Sequence, residues 1–355
     1  MVLTRLEQLK SKLAAQGLDG LVITQAKNRR YLSGFTGSEG FLLVLVDKSY
    51  LCTDFRYMEQ AALQAPGWEI VKIDAAWWET IKQLWPKGRQ RLGFEAQHLI
   101  YDNWNKLTKV LPTVDLVPTS GLVESLRVQK DEQELILLKQ AIALADKGAA
   151  YLRSSLVPGY QERDIALELE FFLRRHGAEG AAFPFIVASG VRGSLPHGEA
   201  SEKRLELGEL VTVDFGAVYQ GYHSDLTRTF SLGLPTSKQK SIYEIVLEAQ
   251  LKAIAAAGPG VPCAYVDRAA RDVIAKAGYD QYFGHATGHG VGLAIHEEPR
   301  LSPQASDILL PGMVVTVEPG IYLPGWGGVR TEDVVLITKQ GAEVLSQAPK
   351  ETFVL

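Results

Sequence analysis

Leucines at positions 6, 9 and 13, with charged and polar residues between them, give residues 4–16 (TRLEQLKSKLAAQ) the spacing of an amphipathic helix that Gly17 is placed to end. Short apolar runs then alternate with helical ones. GLVIT (20–24), FLLVLV (41–46), WEIVKI (68–73), RLGFE (91–95) and TVDLVP (113–118) read as strands, and 56–65, 77–85 and 100–110 as helices. This alternation predicts an α/β layer with a mixed sheet over residues 1 to about 120. Pro118, Ser120 and Gly121 punctuate the chain there, so the expected domains are 1–122 and 123–355, the second opening on a long helix from Asp131 to about Ser155.

The second part carries an internal duplication. LELGELVTVDFG (205–216) aligns with LLPGMVVTVEPG (309–320) at an offset of 104 residues, placing Thr212 on Thr316 and Asp214 on Glu318. Upstream, VPGYQERDIALELEFFLRRHG (157–177) aligns with GPGVPCAYVDRAARDVIAKAG (258–278), each a Pro-Gly before a helix and a Gly after it. Two copies of so long a unit predict a pseudo-symmetric domain, not a solenoid. Carboxylates fall at matching places: Asp214 and Asp225 in one copy, Glu318 and Glu332 in the other. A pseudo-twofold axis would bring the two pairs face to face.

Length and composition narrow the function classes. At 355 residues two domains are the prior, and 46% apolar with 22% charged residues is globular. A net charge of -4 argues against nucleic acid or an anionic membrane as partner. Cys52 and Cys263, far apart, make neither a disulfide framework nor a thiolate metal site. The longest apolar run, Phe41 to Val46, is a strand and far short of a membrane span. The opening MVLTRLEQLKSK lacks the apolar segment of a secretory signal, so a cytoplasmic location is expected.

The candidate chemistry lies in GHATGHGVGLAIHEEP (284–299), TVEPGIY (316–322), VRTED (329–333) and VTVDFGAVYQGYHSD (211–225). Asp214 closes an apolar run, and a buried carboxylate must be paired, protonated or metal-bound. Each carboxylate has an ordinary alternative: Asp214 paired with an arginine such as Arg228, Asp225 capping a hairpin end, Glu318 at a strand end, Glu332 in an ion pair with Arg330. His289, in a glycine-rich turn between Gly288 and Gly290, sits where backbone can approach a ligand. His285 and His289 have the spacing of zinc-peptidase helices, but the glycines oppose a helix and the glutamate of that motif is missing. The Gly288–Gly292 run lacks the Lys-Ser/Thr of a phosphate loop, and no nucleophile elbow occurs. As a set, four carboxylates at duplicated positions and one imidazole nearly neutralise two divalent ions. Oxygen-rich donors without thiolates favour Mn2+, with Co2+ or Zn2+ as alternatives. Two such ions roughly 3.5 Å apart could share a water acidified toward about pH 7.

These residues, with PHG (196–198), HEEP (296–299) and VEPG (317–320), resemble the pita-bread metallopeptidase family over 130–355. The whole chain resembles its Xaa-Pro branch, aminopeptidase P and prolidase, and YLSGFTGSEG (31–40) and TDFRY (53–57) resemble the N-terminal domain found there. The resemblance implies an α/β N-terminal domain of the creatinase/prolidase type, then an α+β pita-bread domain with internal pseudo-twofold duplication. It implies that Asp214 holds one metal, that Asp225 and Glu332 bridge, and that His289 and Glu318 complete the second. Glu318 would also shuttle the proton of the bridging water, and His197 and His296 would contact the scissile carbonyl and its oxyanion. His285 would line the proline-ring pocket, and Arg330 and Tyr322 would orient carboxylates and substrate. Phe55 departs from the small residue common at its position in relatives.

An Xaa-Pro bond has no N–H and a fixed φ, so a site for it needs an apolar ring pocket, a polarised carbonyl and an acid for the leaving amine. Within that branch, the resemblance implies an Xaa-Pro aminopeptidase acting on peptides with proline at the second position. The FTGS segment and the compact length resemble the aminopeptidase P-like bacterial proteins more than the prolidases. The alternative is an Xaa-Pro dipeptidase (prolidase), with Arg300 holding the dipeptide carboxylate. A non-catalytic pita-bread module that binds peptides is the alternative of another class. A homodimer is implied by the family.

Overall fold

The computed structural model describes residues 2–350 and 353–355. Chain contacts divide it into two compact units, residues 1–127 and 128–355. The first contains α1 (Val2–Ala15), β1 (Gly20–Ile23), α2 (Ala26–Ser33), β2 (Phe41–Leu45), β3 (Ser49–Thr53), α3 (Met58–Gln64), β4 (Glu69–Lys72), α4 (Trp77–Leu84), β5 (Arg91–Glu95), α5 (Tyr101–Val110), β6 (Asp115–Thr119) and α6 (Glu124–Arg127). Its six strands run in the order β4-β3-β2-β1-β5-β6. The β1–β2 and β2–β3 contacts are antiparallel and the rest parallel, which is the mixed sheet the alternation predicts. Pro118 lies inside β6, which is tolerated because that strand is at the sheet edge.

Two elements of this unit escape the hydrophobic pattern. β3 (SYLCT) has too few apolar residues to stand out, yet it is almost wholly buried. α2 (AKNRRYLS) is polar, and buries Asn28 and Arg29 by satisfying them across the fold. Arg29 donates to the carbonyls of Gly37 and Gly40, and Asn28 to Glu95 and Glu124.

The second unit contains α7 (Glu132–Ser155), α8 (Glu162–Arg175), β7 (Gly180–Ala181), β8 (Ile186–Ser189), β9 (Leu210–Phe215), β10 (Ala217–Tyr219), β11 (Tyr222–His223), β12 (Leu226–Ser231), α9 (Ser237–Ala256), α10 (Cys263–Lys276), β13 (Gly288–Gly290), β14 (Glu297–Leu301), β15 (Val314–Val317), β16 (Gly320–Leu323), β17 (Gly327–Arg330), β18 (Asp333–Ile337) and β19 (Ala342–Val344). The duplication is visible as two half-domains with separate cores. In one, Leu152 on α7 and Leu169 and Leu173 on α8 pack on Val211, Val213 and Phe215 of the sheet β12-β9-β8. In the other, Val246 on α9 and Val266 and Ile274 on α10 pack on Val315, Val317 and Val335 of β14-β13-β15-β18-β19. Among the described residues no helix is long and apolar enough to cross a membrane.

The long helix α7 starts where expected because Asp131 caps it. Its carboxylate accepts the N–H groups of Gln133 and Glu134, while Glu134 reaches back to the N–H of Asp131. Glu134 also accepts the hydroxyl of Tyr222 at 3.0 Å, tying the helix start to the hairpin that leads to Asp225. Replacing Asp131 by Ala should lower stability by about 1 kcal/mol, read as a lower denaturant midpoint with an unchanged slope.

Candidate metal centre

Pairing register decides which carboxylates meet. On β9, Asp214 stands opposite Thr227 of β12. Side chains alternate along a strand, so Asp225, two residues before Thr227, faces the same way. The other half repeats the device. Thr316 and Val317 of β15 face Val334 and Asp333 of β18, so the next step puts Glu318 opposite Glu332. Glu332 therefore looks into the site while its neighbour Asp333 looks away from it. The halves join along β12, where Thr227 donates its hydroxyl to Glu332 Oε2 at 2.7 Å and its carbonyl accepts the N–H of Glu332. Ligand oxygens of Asp214, Asp225 and Glu332 thereby come within 4.8 Å of one another.

His289 completes the group. Its Nε2 lies 3.2 Å from Glu318 Oε1 and 3.5 Å from Asp225 Oδ2, and the ring is 4.4 Å from that of His296. The flanking glycines belong to strand β13, not to a turn, and they admit chain neighbours instead of a ligand. A Cβ on Gly288 would meet the Thr316 carbonyl at 1.9 Å, and one on Gly290 the Glu298 carbonyl at 2.3 Å. Thr316, which the repeat aligns with Thr212, donates its hydroxyl to Glu318 and accepts the N–H of His289.

The expected ordinary pairings are exchanged. Arg228 does not reach Asp214. It is buried against the carbonyls of Thr227, Glu332 and Ala348 and the carboxylate of Asp333, which Lys350 and Gln250 also hold. Asp214 pairs with Arg330 instead, at 2.7 Å. That guanidinium also donates to Tyr322 Oη at 2.8 Å, to Thr227 Oγ1 at 3.1 Å and to the Pro196 carbonyl at 3.1 Å. Tyr322 in turn meets His285 Nε2 at 2.8 Å.

A cavity of about 500 Å³ opens onto this cluster. His197, His285, His296, Arg300 and Arg330 line it together with Asp214, Asp225, His289 and Glu318, whereas Glu332 and Tyr322 lie outside its wall. Phe183, Pro184, Ile186 and Ile295 make its apolar side, and Glu199 a further acidic position. None of these was singled out in the sequence, where only the Phe-Pro-Phe run at 183–185 stands out.

Electrostatics show what the cluster lacks. Burial, then the neighbouring Glu332, Asp214 and Glu318, push Asp225 well above the usual carboxylate range. Burial, then Glu318 and Asp214, do the same to Glu332. Asp214 is also raised by burial, although Arg330 opposes it. Burial is the largest influence on Glu318 and raises it, but His289, His285 and Arg330 together outweigh it and hold that carboxyl down to about 2. Burial and the nearby cationic groups lower His296 to about 4. Two carboxylate oxygens, Asp214 Oδ1 and Glu332 Oε1, are buried and accept no hydrogen bond from any described residue. One arginine cannot neutralise four carboxylates, and uncompensated oxygens of this kind are the inner surface of a cation site. The donor set of carboxylates and one imidazole, without thiolate, fits oxygen-preferring to borderline divalent ions.

Comparisons with known proteins show the family. The model of metallopeptidase family M24 matches residues 136–339, and that of the creatinase/prolidase N-terminal domain matches 5–129. The two-part architecture implied by the sequence is therefore present. The chain is 40% identical over 337 residues to an Xaa-Pro dipeptidase of Pyrococcus horikoshii, covering 94% of each. The structure of an Xaa-Pro dipeptidase from Bacillus anthracis matches over 100% of both chains, with a TM-score of 0.97 and 46% identity. That of an X-Pro aminopeptidase from Thermotoga maritima covers 96% of this chain and 98% of its own, with a TM-score of 0.89 and 35% identity.

Raised carboxyl groups keep protons into a range where ordinary carboxylates are ionised, and a cation must displace them. Metal binding should therefore release protons and tighten as pH rises above the ordinary carboxylate range. Calorimetric titration of stripped protein with Mn2+, in two buffers of different ionisation heat, measures this directly, and no proton release would contradict the burial argument. The same titration should raise the unfolding midpoint, corresponding to about 2.7 kcal/mol at a hundredfold excess over Kd. A member of metallopeptidase family M24 in sequence and in fold, this chain is a metal-dependent peptidase.

Proposed function

We propose that the protein is an Xaa-Pro dipeptidase, cleaving the bond between a first residue and a C-terminal proline. The sequence favours an aminopeptidase for longer peptides. The relatives weigh toward the dipeptidase, since those from Pyrococcus horikoshii and Bacillus anthracis carry that name. The observation that carries the reading is the register of β13 and β14, in which Arg300 is the cross-strand partner of His289. Opposed residues of an antiparallel pair share a face, with Cβ atoms about 5 Å apart. The carboxylate of an Xaa-Pro dipeptide lies one residue beyond the scissile bond, roughly 3.5 Å of chain. An arginine one cross-strand step from a candidate metal ligand, in the wall of the same cavity, suits that length.

In this reading Asp214, Asp225, His289, Glu318 and Glu332 hold two divalent ions, with Mn2+ favoured by the oxygen-rich donors. Bound there, the ions supply Lewis acidity toward the scissile carbonyl and a water acidified for attack. Glu318, fixed by Thr316 and His289, receives the proton of that water. His197 and His296 donate hydrogen bonds to the carbonyl oxygen as charge develops on it. His285, braced by Tyr322, and the apolar wall of Phe183 and Ile295 enclose the proline ring. Proline brings no N–H, so an apolar enclosure leaves no donor unsatisfied. Arg330 holds Asp214 and Tyr322 in place.

Steady-state assays with an Xaa-Pro dipeptide and an Xaa-Pro-Yaa tripeptide, Mn2+ added, separate the two readings. The dipeptide should be cut with kcat/KM at least about tenfold higher, a difference on the order of 1.4 kcal/mol. Equal cleavage of both would return the assignment to the aminopeptidase. Arg300→Ala should raise KM for the dipeptide while leaving kcat nearly unchanged. Asp225→Asn and Glu332→Gln should each remove nearly all turnover, and retained activity in either would contradict the five-residue metal set.

A further inference from the structure

Glu162 opens α8, is fully buried, and takes no part in the carboxylate cluster. Its carboxylate is turned onto the segment 189–201. Oε1 accepts the N–H and the hydroxyl of Ser189, both at 2.8 Å. Oε2 accepts the N–H of Ser201 at 3.1 Å, the hydroxyl of Ser201 at 2.7 Å and Nη1 of Arg192 at 2.5 Å. One carboxylate thus grips both ends of a loop. Between those ends lie a 3-10 turn, Gly190–Ser194, and then His197 in the cavity wall. The second arm of Arg192 donates to the Glu199 carbonyl at 2.7 Å, two residues beyond His197. Glu162 and Arg192 therefore bracket the histidine from before and after. His197 itself is exposed, and its side chain makes no hydrogen bond with any described residue, so its placement depends on the backbone that carries it.

We infer that Glu162 and Arg192 are positioning residues for His197: the ion pair sets the span of the 189–201 loop and with it the reach of the imidazole toward the substrate carbonyl. This rests on the role given to His197 above. Hydrogen bonds aimed at a developing charge act only from the right place, and a misplacement near 1 Å costs roughly 100-fold in rate. Burial alone does not call for this arrangement. A carboxylate wanting only satisfaction could take neighbouring donors on its own helix, whereas these five come from residues 27 to 39 positions away.

The test is a set of double-mutant cycles on the full-length, Mn2+-loaded protein with an Xaa-Pro dipeptide. Glu162→Gln and Arg192→Lys are made alone and in a His197→Ala background. Lysine keeps a cation for Glu162 but cannot span both acceptors as the planar fork does, and Arg192 is partly exposed, so this variant keeps the test alive should Glu162→Gln not fold. Each single variant should lower kcat roughly 10- to 100-fold with KM and metal content little changed. In the His197→Ala background the same substitutions should cost little more, because the residue they place is gone. Equal fold-losses in both backgrounds, or wild-type kcat for Arg192→Lys, would overturn the inference. Hydrogen exchange across 190–200 reads the loop independently of turnover. It should quicken in Arg192→Lys, and unchanged exchange would also overturn the proposal. A wild-type protein inactive on both dipeptide and tripeptide would sink the functional reading instead, and exchange would still decide whether the clamp exists.

Discussion

Like-charged carboxylates crowded into a buried space are the constraint around which the second unit is built. Water would disperse Asp214, Asp225 and Glu332, yet the fold holds their oxygens within 4.8 Å of one another. It does so by placing each at the open end of an antiparallel strand pair, where the ladder and the flanking core fix the backbone. The resulting strain is electrostatic, and a cation removes it. Hence the apolar cores behind β9 and β15 serve the site as well as the fold: they keep the strand ends from moving apart.

A second layer of charge stands behind the first. Arg330 joins Asp214, Tyr322, Thr227 and the Pro196 carbonyl, so one guanidinium links a candidate ligand, a pocket wall and the loop bearing His197. Arg228 and Asp333, on the opposite face of the same strands, tie the Glu332 backbone to Lys350 and the carbonyl of Ala348. The alternation of Glu332 toward the site and Asp333 away from it follows from the two-residue period of β structure. Glu162 and Arg192 act similarly on the segment that carries His197. The apparatus thus rests on buried ion pairs whose members come from distant parts of the chain.

Much of this was legible along the chain. The period of Leu6, Leu9 and Leu13, the apolar runs of the first sheet and the Asp131 cap are local signals, and local signals appear in sequence order. The repeat pairs Asp214 with Glu318 and Thr212 with Thr316 within the sequence itself, because duplicated strands keep the same inward positions. α2 was hidden because its burial relies on hydrogen bonds from Asn28 and Arg29 to distant groups. The partners of Asp214 and Arg228 stay open in the sequence for the same reason. Arginine reach says that a pairing is open, not which one closes.

Sequence alone determined the candidate donor set, its doubled arrangement and the chemistry such donors favour, since residue type and spacing are properties of the chain. Tertiary structure decided the register that turns Glu318 toward Glu332, the exchange of arginine partners, and the placement of Arg300 across from His289. Those depend on which strands lie side by side, and contacts between residues a hundred positions apart leave no local trace.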